Sequence, residues 1–161
     1  MDVLVALAIS IGILIAGWTY VALGMAALPV WAGIVAWGAF FAAGGKTTGL
    51  TKTIAATLSG VLWAFLALKA AESFGGGLPV LSAMVGVAAL IMVLQSKISL
   101  LSFIPGAFLG AATAVSVVVG AGTTFPNPWI RTVIALVVGA VLGYLSEMLA
   151  GAISKPKRAA A

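Results

Sequence analysis

The sequence predicts an all-α protein, a polytopic transmembrane bundle of six helices, and three observations carry that prediction. Hydrophobic residues make up 63% of the 161-residue chain and charged residues only 7%. A soluble domain carries about 25% charged residues, so this chain has too few to cover a water-facing surface. No Asp, Glu, Lys or Arg occurs from Val3 to Gly45. A helix crosses a bilayer in roughly 20 residues, so that interval holds two crossings with a turn around Leu23 to Leu28. Finally, turn residues and charges recur between apolar runs that are long and continuous, which disfavours an alternating β-barrel.

Those runs fall at about 3–23, 28–44, 51–70, 78–95, 98–119 and 128–152. The first begins with an acidic head, carries no Lys or Arg, and is as long as a full span, so it reads as a retained helix. The second is short and calls for a thinner bilayer or a small tilt. GGKTTG (44–49), ESFGGGLP (72–79), QSK (95–97) and GAGTTFPNP (120–128) separate the later runs. Residues 1–153 are expected to form one integral membrane domain, followed by a short basic tail at 154–161. GGKTTG ends like a phosphate-binding loop, but Phe40 stands where that loop needs glycine. It reads as a turn.

Six crossings place both ends on one side. That side collects Lys46, Lys52, Lys97, Lys155, Lys157 and Arg158, and the other only Lys69 and Arg131. Basic residues accumulate on the cytoplasmic face, so both termini are expected there. The formal net charge of +5 is spread over these short segments, which fits topology and excludes a nucleic-acid face. LPV at 28–30 and 78–80, and glycine at 60 and 110, hint at a two-helix unit used three times in parallel.

Cysteine and histidine are absent. Thiolate metal sites, disulfides and imidazole chemistry are therefore excluded, and no cofactor or metal is expected. The carboxylates are Asp2, Glu72 and Glu147 alone. Few acid–base or nucleophilic schemes can be built from them, so the chain is not expected to be an enzyme.

Small residues recur at four-residue spacing: Ala56, Gly60 and Ala64, then Gly106, Gly110 and Ala114, then Gly139 and Gly143. Such stripes let helix backbones approach within a protomer, at an oligomer interface or beside a narrow pore. Pro105 deprives the Leu101 carbonyl of its helical partner, giving either a kink or a functional break in the fifth run. Gln95 and Lys97 stand at the expected cytoplasmic mouth of the fourth and fifth runs. Lys97 reads as a snorkelling anchor or a selector of charge. Glu147, inside the last run, is a candidate intramembrane acid or a partner of Lys155 or another cytoplasmic lysine. Trp18 and Trp63 lie deep and read as core or as the constriction of a channel, core packing being favoured.

The segments GLTKTIAATLSGVLWAFLAL (49–68) and MVLQSKISLLSFIPGAFLGAAT (92–113) resemble the YcdZ-like family of bacterial inner-membrane proteins. The matching features are Leu58-Ser59-Gly60 with Trp63-Ala64, Gln95 with Lys97, and Leu101-Ser102-Phe103 with Pro105-Gly106 and Gly110. They cover about a quarter of the chain. The resemblance implies an inner-membrane location and, since the family is a domain of unknown function, transfers no site residues.

The functional expectation is a channel or facilitative transporter for a small, neutral or weakly charged solute. Its candidate path runs past Ser59, Gln95, Lys97, Ser102, Pro105 and Thr113, because hydroxyls and amides can replace a solute's hydration. The alternative is a non-transporting accessory or scaffold subunit assembling through the small-residue faces. Expected partners are the lipid bilayer, that solute and further copies of the chain.

Overall fold

A computed structural model describes residues 1–121 and 125–154. Six α-helices form the described part: α1 (Val3–Gly24), α2 (Val30–Ala42), α3 (Lys46–Ser73), α4 (Leu78–Leu94), α5 (Ile104–Val115) and α6 (Pro128–Ile153). Four segments, Val3–Gly24, Lys46–Ser73, Leu78–Lys97 and Pro128–Ile153, are long and apolar enough to cross a membrane. Val30–Ala42 and Ile104–Gly120 are shorter apolar helices. The chain is an all-helical membrane protein.

Local chemistry sets the ends of these helices. The Asp2 carboxylate accepts the Leu4 amide at 2.8 Å and opens α1. Between α2 and α3, Gly44, Gly45 and Lys46 all have positive φ (98°, 66° and 56°), a conformation that costs glycine little and lysine more. Gly75, Gly76 and Gly77, at φ 91°, 69° and 85°, reverse the chain between α3 and α4. Prolines 79, 105 and 128 each stand in the first turn of α4, α5 and α6. A first-turn amide has no helical partner, so its loss there is harmless.

Two helices organise the bundle. α3 packs on α4, α5 and α6, while α6 packs on α1, α2 and α3. One buried cluster joins Ala36, Val61, Ala64, Ala114, Leu136 and Ala140 from α2, α3, α5 and α6. A second joins Trp18, Ala22, Ala32 and Ala135 from α1, α2 and α6 with Leu28 of the α1–α2 connection. α4 buries only Ala88 and Met92 and stands at the periphery.

The start of α1, the end of α2, the start of α3 and the end of α6 share one end of the bundle. The Ser10 hydroxyl donates to the Ser146 carbonyl at 2.9 Å, and Glu147 meets Lys46. At the opposite end the Arg131 guanidinium donates to the carbonyls of Ala26, Ala27 and Pro126. The Trp129 ring meets Phe65 edge-on there, with centroids 5.2 Å apart.

Two expectations need correction. GGKTTG is not wholly a turn, because α3 already starts at Lys46 with Glu147 receiving its first amide. The fifth run does not form one helix from residue 98. Two 3-10 turns, Gln95–Lys97 and Ser99–Leu101, precede α5, which begins at Ile104. Pro105 therefore starts a helix and neither kinks nor breaks one. The Leu101 carbonyl has no helical partner to lose. α5 continues beyond Val115 as a π-helical turn, Ser116–Gly120. The tail residues Lys155, Lys157 and Arg158 lie outside the described residues.

Candidate functional site

The polar residues of α3 and α4 come together as one cluster. Trp63 donates its indole N–H to Gln95 Oε1 at 2.9 Å. The Gln95 amide N–H₂ donates to Ser59 Oγ at 2.8 Å, and Ser59 Oγ donates to the Ala56 carbonyl at 2.7 Å. The sequence dictates the meeting. Ser59 and Trp63 are four apart on α3 and share a face, and α4 returns antiparallel so that its last residue, followed by Gln95, reaches that face. Ser59 lies 13 residues after Lys46, or about 20 Å along α3. Each group is half-buried.

Ser102 and Thr113 are not in this cluster. The Ser102 carbonyl accepts the Ile104 amide at 3.1 Å, just before α5. Thr113 is buried in α5, and its carbonyl accepts the Ser116 hydroxyl at 2.9 Å. Lys97 and Pro105 are exposed. Of the six path candidates, therefore, only Ser59 and Gln95 meet through side-chain hydrogen bonds among the described residues. Trp63, expected as core or as a channel constriction, is the member that the candidate path left out. Its four-residue spacing from Ser59 was the available signal.

Glu147 is half-buried at the start of α3, where its Oε2 accepts the Lys46 amide at 2.6 Å. The carboxylate thus sits on the positive end of the helix dipole. Gly45 is open to it because an added Cβ would fall 2.8 Å from Glu147 Oε1. Lys155 lies outside the described residues.

The glycines explain how closely the helices approach. A Cβ at Gly60 would overlap the Ala107 carbonyl oxygen, and one at Gly110 the Thr57 carbonyl oxygen. One at Gly106 would fall 2.9 Å from the Ala56 Cβ. On the other side of the bundle, Gly139 packs on the Gly33 carbonyl and Gly143 on the Phe40 ring, 2.8 Å from where its Cβ would stand. Thr53 is fully buried in α3, and its hydroxyl has no hydrogen-bond partner among the described residues.

Between α3, α4 and α5 lies an apolar cavity of about 290 Å³, floored largely by alanines. Met92, one of its lining residues, stands one turn before Gln95. A second space of about 490 Å³ adjoins it at Leu68 and reaches Glu72 and Gly76–Gly77.

Comparison with known proteins agrees with this architecture. No solved structure matches the chain. Inner membrane protein YcdZ of Escherichia coli K12 is 34% identical over 146 residues, covering 89% of this chain and 83% of YcdZ. Inner membrane protein YcdZ of Salmonella typhimurium LT2 is also 34% identical, over 148 residues, with 89% and 85% covered. The uncharacterized protein YahC of E. coli K12 is 31% identical over 157 residues, with 91% and 90% covered. The family model described as "Protein of unknown function (DUF1097)" matches residues 8–151. With nearly its whole length matched, this helical membrane protein belongs to the YcdZ-like, DUF1097 family.

Proposed function

We propose that the protein is a multi-pass protein of the bacterial inner membrane that conducts a small, neutral or weakly charged solute past Ser59 and Gln95. The observation that carries this reading is the Ser59–Gln95–Trp63 cluster. Polar side chains at membrane depth are expensive and tend to mark solute paths. Here an amide and a hydroxyl join two helices well inside α3, beside the turns that link α4 to α5. Gln95 belongs to the first of those turns, where the regular α-helical bonding of α4 ends. A solute can exchange hydrogen bonds with the Gln95 amide and the Ser59 hydroxyl without leaving either unpaired.

Orientation follows from the charges. Lys46 and Lys52 belong to the end of the bundle that holds Glu147, and Lys97 follows α4 on its way back toward that end. Lys69 and Arg131 belong to the other end. The first end faces the cytoplasm in this reading, with both termini and six crossings. The relatives named inner membrane proteins support the location. The protein is read as non-enzymatic. In support, Asp2 caps α1, Glu72 pairs with Lys69 at 2.7 Å, and Glu147 holds α3.

The test is a pair of substitutions in reconstituted vesicles. Gln95→Ala is expected to change solute entry, and Ser102→Ala, which lies outside the cluster, to leave it near the parent rate. Entry unaltered by Gln95→Ala would remove the site assignment.

A second reading, an accessory subunit that assembles with another membrane protein or with further copies of itself, rests on α1. Gly17 and Gly24, seven residues apart on one face of α1, have nothing within 4 Å of an added Cβ, so that face is left open. Gly17→Leu discriminates: it breaks assembly in this reading and leaves solute entry intact in the first.

A further inference from the structure

The cavity between α3, α4 and α5 is not accounted for by the polar cluster. Its lining, from Ala64 and Ala67 on α3 through Ala88 and Met92 on α4 to Ala111 on α5, offers methyl and thioether groups and almost no polar atom. No side chain of the bundle fills it, since alanine occupies the positions where a leucine would close it. A polar solute would lose its hydration there and gain no hydrogen bond.

The surroundings decide the occupant. α4 turns Val87, Leu90, Val93 and Leu94 outward, each about half exposed. In a membrane protein that face meets acyl chains. An unfilled apolar space forfeits the dispersion contacts of every atom on its walls, and in a bilayer the material that can restore them is at hand. Shape and polarity select one kind of chain. Leu68 lines both this cavity and the neighbouring space that reaches Glu72 and Gly76–Gly77. From Gly77 to Met92 is 15 residues, or about 22 Å of helix. One leaflet contributes about half of a ~30 Å hydrocarbon core, so a chain entering at Gly77 fits within the cleft. Its entrance carries the exposed Lys69–Glu72 ion pair, one charge of each sign. That pair complements a zwitterionic headgroup, whereas the interior complements a hydrocarbon tail.

We infer that the α3–α4–α5 cleft holds one acyl chain of a zwitterionic phospholipid, with its headgroup at the Lys69–Glu72 entrance. The lipid wedges α4 against α3 and α5, which explains how a peripheral helix with little buried surface keeps its place. The inference stands apart from solute conduction: the cleft's lining includes none of Ser59, Trp63 and Gln95, and it needs no transported substrate.

The experiment reconstitutes the full chain with a phosphatidylethanolamine carrying a diazirine near the end of one acyl chain. After photolysis, adducts are mapped by peptide mass spectrometry. The cleft residues Ala88, Met92 and Ala111 are expected to be labelled severalfold more than Ile13 and Leu90, which lie on open lipid-facing surfaces. Ala111→Phe and Ala88→Leu fill the cleft in different ways. Each is expected to lose cleft adducts while Ile13 and Leu90 keep theirs. Uniform labelling of all lipid-facing positions in the parent chain overturns the inference without any variant. So do cleft adducts that persist in both filled variants, or a cleft that is silent because a second copy of the chain covers it, seen as protein–protein crosslinks at α4.

Discussion

Replacing Gly110 with alanine tests the helix crossing on which the α3–α5 half depends. An added Cβ there lands on the Thr57 carbonyl oxygen, its carbon and its Cα, all backbone atoms of α3. Real Cβ contacts do not come below 3.0 Å, so the two helices must separate by about 1 Å at the crossing. Backbone cannot rotate away as a side-chain end can. Overpacking of this kind costs about 1–3 kcal/mol, offset by about 1 kcal/mol of helix propensity on replacing glycine. Gly110→Ala is therefore expected to destabilise by up to about 2 kcal/mol net. Gly60 faces the Ala107 carbonyl across the same crossing. A separation forced by one substitution makes room for the other, so the double variant should cost less than the two singles together. Gly86→Ala is the control, because nothing lies within 4 Å of its added Cβ. It is expected to be neutral or to stabilise by up to about 1 kcal/mol. Equilibrium unfolding in mixed micelles reads all four. Gly110→Ala as stable as Gly86→Ala, or strictly additive losses, would refute the close approach and the shared crossing.

Other consequences follow from single contacts. Gln95→Leu and Trp63→Phe each remove one side of a hydrogen bond. A double-mutant cycle in the same unfolding assay should give a coupling of roughly 0.6–1.7 kcal/mol, the range for such bonds in membrane bundles, and a coupling of zero would dissolve the cluster. Glu147→Ala should cost about 0.5–2 kcal/mol, as loss of a helix cap does. Glu147→Gln keeps an acceptor and should cost only the charge–dipole part, about 0.3–1 kcal/mol. Hydrogen exchange at Lys46 to Gly49 should quicken in both, more in the alanine variant. Arg131→Lys should fail to restore what Arg131→Ala loses, since one ammonium cannot span the Ala26, Ala27 and Pro126 carbonyls. Thermal unfolding would show the two variants alike, and full rescue by lysine would contradict the clamp.

Much of the fold could be read from the chain because the membrane allows few answers. An uninterrupted charge-free interval and glycine or charged punctuation locate α1, α4 and α6 to within a residue or two. The failures have local causes. α3 begins at Lys46 because a carboxylate 101 residues away supplies its cap, and no window around GGKTTG contains that information. Ile98 to Phe103 is as apolar as a helix, yet Pro105 suits a first turn better than an interior one, so α5 starts late. The same position gave the kink expectation, which treated Pro105 as interior.

The site was legible in pieces. Gln95 and Ser59 stood out as polar residues in apolar runs, but their bond requires α4 to return along the Ser59–Trp63 face. That pairing is tertiary and leaves no mark in composition. Gly33 went unremarked, although it faces Gly139 across the α2–α6 crossing, because it lacks a small neighbour at four-residue spacing on α2 that would form a stripe. The α3–α5 glycines were visible since each lies in a four-residue repeat of small residues, Ala56–Gly60–Ala64 and Gly106–Gly110–Ala114. The alanine-floored cleft was invisible, because alanine is common everywhere in this chain and only its arrangement around an unfilled space is informative.

The central claim is conduction past Gln95, and solute-driven swelling of proteoliposomes by stopped-flow light scattering tests it most directly. The panel runs from water, glycerol and urea to ammonium, formate and acetate salts, against empty vesicles and against Gln95→Leu. The account predicts that one solute class enters faster with the parent protein and that Gln95→Leu alters that entry while Gly86→Ala does not. Entry equal to empty vesicles for every solute, with folded protein present, would contradict it and leave the accessory-subunit reading in its place.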